Sequence, residues 1–132
     1  MADGLITMKS NFGPEETMNR YEAAVRAKGM TVFAHIDHAE SAAAVGMPLR
    51  STDLIVFGNA KAGTPLIQSA QTIGIDLPLK ALVWQDEAGT TWLSYNSPDW
   101  IAARHSGGPG DDTTIKAIRG ILDAAANAAT VP

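Results

Sequence analysis

Cysteine is absent from this 132-residue chain, which excludes disulfides, thiolate catalysis, cysteine-held zinc and iron–sulfur clusters together. Positive charge is scarce and scattered. Ten Lys and Arg against fourteen Asp and Glu give a net charge of −4, and no basic stripe offers the footprint that a nucleic-acid binder needs. No apolar run approaches the roughly 18 residues that span a bilayer, so no membrane segment is expected. The opening "MADGLITMKS" has no basic flank leading into a long apolar run. No secretory leader is therefore read there, and the expected setting is the cytoplasm. Two reactive strings are missing as well. No G-x-S-x-G marks an activated serine. "GNAKAGT" places its lysine before its second glycine, which breaks the order of a phosphate-binding loop.

What is present suits one folded unit. The chain is 45% hydrophobic and 18% charged, long enough to bury a core without staples, and 1–132 reads as a single domain. "GLITMKS" alternates as a first strand. "PEETMNRYEAAVRAKG" follows with Pro14 suited to a first helical position, Glu15 and Glu16 at the positive helix start, and Gly29 past its end. "MTVFAHI" reads as a strand, with Met30, Val32, Ala34 and Ile36 on one face and Thr31, Phe33 and His35 on the other. A short helix over 39–45 then ends at Gly46. "DLIVFGN" is apolar on both faces, as a covered central strand is. The loop "GNAKAG" leads to a helix that Thr64 caps and Pro65 begins. "LPLKALVWQDEAGTTWLSY" is two extended runs around a turn. Ser97 and Pro98 start a further helix, "SGGPGDD" is a linker, and a last helix with Asp112 as cap presents Ile115, Ile118, Leu122 and Ala125 on one face. The order predicts an α+β fold, a mostly antiparallel sheet with helices packed on one face. The other face, carrying Phe33 and the tryptophans, then needs cover, and a homodimer supplies it.

The stretch "FAHIDHAES" is the most chemically suggestive. Asp37 and Glu40 have capping-box spacing, which explains both without a reaction. His38 beside Asp37 or Glu40 can act as an acid/base group. His105 is the third histidine of the chain, and nothing in the spacing converges the three on one metal, so no metal site is assigned. Lys61 and the expected helix-start amides around Thr64 can hold an anionic group. Arg104 and His105 complement the negative end of their own helix.

The strings at this point resemble a known family. His38 with Ile36 and Asp37, FGN at 57–59, GT at 63–64, DLPLK at 76–80, YN at 95–96 and the run to His105 are similar, in order and spacing, to the domain of unknown function 302 family, over about residues 31–105. The resemblance implies a TATA-binding-protein-like fold, a β-α-β(4)-α core with extra helices, and a homodimer. It supplies no activity and no cofactor. Where the family usually reads FGNP, this chain has Ala60, which implies a looser loop.

The family strings sit at loops and element ends, where sites form. The expectation is therefore one shared pocket, at the sheet end or across the dimer, for a small polar or anionic ligand. Asp37, Asn59, Lys61, Thr64, Tyr95, Asn96 and Arg104 would line it. Two other readings stay open: a hydrolytic enzyme using His38 and His105, with or without a metal, and a structural or interaction domain with no ligand.

Overall fold

A computed structural model describes residues 3–105 and 112–132. The chain runs β1 (Leu5–Lys9), α1 (Pro14–Ala27), β2 (Thr31–Asp37), α2 (His38–Ala44), β3 (Thr52–Gly58) and α3 (Ala60–Ser69). A 3₁₀ turn at Gln71–Ile75, β4 (Leu79–Gln85), β5 (Thr91–Asn96), α4 (Pro98–Arg104) and α5 (Asp112–Thr130) complete it. Of the glycine-rich linker expected at 106–112, residues 106–111 lie outside the described residues, and Asp112, expected as the cap, is itself the first residue of α5.

The five strands form one sheet in the order β1-β5-β4-β3-β2, every neighbouring pair antiparallel. Helices α1 and α5 cover one face. Met18, Tyr21 and Val25 of α1 and Ile115, Ile118, Leu122 and Ala125 of α5 bury against Ile55, Phe57, Val83, Leu93 and Tyr95 of the sheet. The three- and four-residue spacing of these helical positions is what gives each helix one apolar stripe. Among the described residues, the Tyr21 hydroxyl lies buried without a hydrogen-bond partner, and burial pushes its ionisation well above the ordinary tyrosine range.

Among the described residues, no helix of the core cluster packs on the opposite face. Register places Thr7, Ser94, Leu82, Leu54 and Ile36 in one row across all five strands. In the neighbouring row Trp84 faces Trp92, their rings stacked at 6.1 Å and 25°.

Two local expectations are corrected. The register of β2 slips at a bulge between Val32 and Ala34. One extra residue inverts the alternation beyond it. Val32 therefore pairs with Phe57 on the helix side, while Ala34 and Ile36 pair with Val56 and Leu54 on the open side, and His35 moves to the helix side opposite Ile55. The second correction concerns α3. It starts at Ala60, capped by the Asn59 side chain, which accepts from the Lys61 and Ala62 amides. Thr64 is not its cap, and Pro65 lies within it. Ala60 thus occupies a first helical position, where proline and alanine are both accommodated, so the departure from FGNP loosens no loop.

Candidate functional site

The end of the sheet where β2 begins, β3 ends and β4 begins is roofed by α3, and a cavity of about 240 Å³ opens there. Its walls are Met30 and Phe33 from β2 and its approach, Ile67 from α3, Leu77, Pro78 and Leu79 ahead of and into β4, and Ile118 from α5. The bulge frees Phe33 from the strand alternation, and the residue is 56% exposed where it lines this cavity. Gly58 and Gly63 line the hollow too. A Cβ on Gly58 would meet Pro78 and Phe33 at 3.5 and 3.6 Å, and one on Gly63 would meet Leu77 at 3.8 Å. The small residues widen the space without being forced by a clash.

Among the described residues, only Asn59 and Thr64 bring polar side chains to this cavity. Asn59 is committed on both sides: its oxygen caps α3, and its amide nitrogen donates to the Gly29 carbonyl at 3.4 Å. That leaves the Thr64 hydroxyl as the group able to turn toward a ligand. Lys61 is exposed on the first turn of α3 and is not part of the wall. The amide of Thr64, expected to be a helix-start donor, is inside α3. The donors expected to hold an anion are thus not gathered here. The cavity is built to accept apolar surface.

The remaining residues singled out from the sequence stand elsewhere. Asp37 closes β2 at the other end of the sheet, opposite Asp53, and its carboxylate accepts the Glu40 amide at 2.9 Å as the cap of α2. His38 is the first residue of that helix. His35 reaches α1 instead, 2.8 Å from Glu22, and the Arg26 guanidinium, with His35 second, holds the Glu22 carboxyl below the usual range. Across the strand pair, partial burial and then the facing Asp37 carboxylate push Asp53 up, offset in part by His35 and His38.

Tyr95 points to the helix side, where its hydroxyl donates to Asp123 at 3.0 Å. Burial, and then Asp123, hold that phenol above its ordinary range. Asn96 lines a shallow groove on the open face with Lys80, Leu82 and Trp84.

Arg104 and His105 lie at the cavity's end of the sheet, past β5 and α4, so His38 and His105 occupy opposite ends and share no cleft. Arg104 donates to both oxygens of Asp76, at 2.8 and 3.1 Å. His105 is buried and lies 2.7 Å from Asp76 and 2.8 Å from the Thr72 hydroxyl. Sequence reasoning missed Asp76 and Thr72. The one available signal was Asp76 opening the DLPLK string. Among the described residues no three His, Asp or Glu side chains are placed to hold a metal ion, and no helix is long and apolar enough to cross a membrane.

Comparison with known proteins places this arrangement. The family model "Domain of unknown function DUF302" matches residues 6–125. The crystal structure of an uncharacterized conserved DUF302 protein from Bacillus stearothermophilus superposes with a TM-score of 0.85 over 97% of this chain and 99% of that one, at 20% identity. Two curated relatives are the fluoride-specific ion channel FluC 1 of Brucella suis biovar 1 and FluC 1 of Brucella abortus biovar 1, each 45% identical over 115 residues and 87% of this chain. The chain spans under half the length of these relatives, 45% and 43% respectively.

Proposed function

Because this chain belongs to the DUF302 family, whose model covers residues 6–125, we propose that it is a homodimeric binding domain that holds a small molecule in the cavity beneath α3. The single observation that carries this reading is the cavity's lining: apolar walls with the Thr64 hydroxyl at the rim. Its ligand is a small molecule with an apolar body and one uncharged polar end. A charged group would exchange its water for hydrocarbon there, at a cost that the wall residues do not offset.

The Brucella relatives suggest a setting. A domain of this kind, attached in a protein named as a fluoride-specific channel, serves as an accessory or regulatory module rather than as the conducting part. Fluoride itself is not its ligand, since a strongly hydrated anion gains nothing from these walls. The chain's own place of work is taken to be the cytoplasm, where a protein without cysteine forgoes nothing.

Native mass spectrometry of the protein purified without a histidine tag tests the cavity directly. A co-purified small molecule is expected in the wild type and absent from Ala62→Phe, which fills the space from α3. A wild type of bare apo mass that also fails to bind a small apolar fluorescent probe, or an Ala62→Phe variant that binds the probe unchanged, overturns the reading.

A further inference from the structure

The group of side chains behind the 3₁₀ turn has an order of its own. Thr72 is exposed, its hydroxyl oxygen 2.8 Å from His105 Nδ1. His105 is 7% exposed, and its Nε2 lies 2.7 Å from Asp76 Oδ2. Asp76 in turn receives Arg104 on both oxygens. Hydroxyl, imidazole and carboxylate therefore follow one another in one chain of hydrogen bonds.

The carboxylate partner fixes the role of Nε2. A carboxylate only accepts, so the imidazole proton sits on Nε2 and faces Asp76. In the neutral form of that ring the lone pair is on Nδ1, and the Thr72 hydroxyl is then the donor in the other bond. That directs the proton of an exposed hydroxyl at a base which a half-buried carboxylate holds in one orientation. It is the arrangement that activates an alcohol as a nucleophile.

We propose that Thr72, His105 and Asp76 form a second site, in which Thr72 is an acyl-accepting nucleophile toward small activated esters or thioesters. In the step, the Thr72 O–H bond breaks and its proton passes to His105 Nδ1. The oxygen forms a bond to the substrate's carbonyl carbon, and the bond from that carbon to the leaving oxygen or sulfur breaks. The proton on Nδ1 goes to the leaving alkoxide or thiolate. Water follows the same path in reverse order, releasing the carboxylic acid and restoring Thr72. The balance needs only ester, or thioester, and water. Asp76 is a positioning residue here, and Thr72 and His105 are the catalytic ones.

The test incubates the full untagged chain with p-nitrophenyl acetate at neutral pH and maps the acetyl group by peptide mass spectrometry. One acetyl at position 72 is expected in the wild type and in Thr72→Ser, and none on that peptide in Thr72→Val. His105→Gln slows acylation of Thr72 roughly 100-fold, the scale of lost general-base assistance. The Ser and Val variants sit at an exposed position and keep the test sharp even if His105→Gln does not fold. Acetyl groups confined to lysines, or labelling of Thr72 at the wild-type rate in a folded His105→Gln, overturn the proposal. Loss of the α3 cavity's ligand in Ala62→Phe would leave this result untouched, so the two sites fail separately.

Discussion

Asp53 is the residue whose charge the fold tolerates least well among the strand carboxylates. It faces Asp37 across the β2–β3 pair, and burial first, then Asp37, holds its carboxyl above the ordinary range. A raised folded value means that the native state takes up the proton more readily than the unfolded chain. The ionised form is therefore penalised fully above the folded value, and the penalty disappears below the unfolded one. Asp53→Asn is expected to stabilise the protein at neutral pH by about 0.5 kcal/mol, the scale of a like-charged cross-strand pair. That gain should fade as pH falls through the window between the two values and be gone near about pH 3. Urea midpoints at both pH values check it, and an equal gain at both would remove the electrostatic cause. At this scale the sequence was legible where chemistry is local. Asp37 as a cap, Ser97 as a cap and Gly29 at φ +80 all follow from neighbours a few positions away. The partners of His105 did not, because Thr72 and Asp76 are brought to it by two turns that no local pattern encodes.

Among the elements, α3 shows most clearly why a boundary can be misread. Thr64 and Pro65 form a sound helix start taken alone. Asn59 offers an equally sound one five positions earlier, and the earlier cap allows the apolar residues of α3 to reach the cavity and the core, Leu66 being 1% exposed. Tertiary packing decided between two acceptable caps. The bulge in β2 is a similar case: period-two alternation reads an unbroken strand, and one inserted residue reverses which face His35 and Ile36 occupy. Asn59→Ala tests the element. It removes the acceptor for two amides and the contact to Gly29, so a loss of about 1 kcal/mol is expected. Weaker retention of an apolar probe should accompany it, because α3 is the cavity's roof. A chemical-denaturation curve unchanged from wild type would show that the Asn59 cap adds nothing to the stability of α3.

The whole molecule inherits its unsolved surface from the same layering. The order of elements along the chain, the mostly antiparallel sheet and the helices on one face were all legible, because strands separated by amphipathic helices leave few other arrangements. The spatial order β1-β5-β4-β3-β2 was not read from the sequence. The shared pocket was not. Element ends fall at both ends of a sheet, and strings that look alike in position were distributed between the two, Asp37 and His38 at one and Asn59, Thr64 and Arg104 at the other. What the layering leaves over is an apolar row at the centre of the open face, Leu82 and Leu54 between Ser94 and Ile36, beside the stacked Trp84 and Trp92. A lone chain rarely keeps so continuous an apolar surface in water, and a second copy laid across it in two-fold fashion covers both at once. Light scattering should accordingly give twice the 13.9 kDa chain mass. Leu82→Glu, a charge at the middle of the row, should yield a folded species of single-chain mass with an unchanged circular dichroism spectrum. A wild type that scatters as one chain at roughly 100 μM, well above the micromolar range of a modest interface, would refute pairing altogether. If Leu82→Glu stays dimeric, the copies meet through another surface and the open face awaits a different cover.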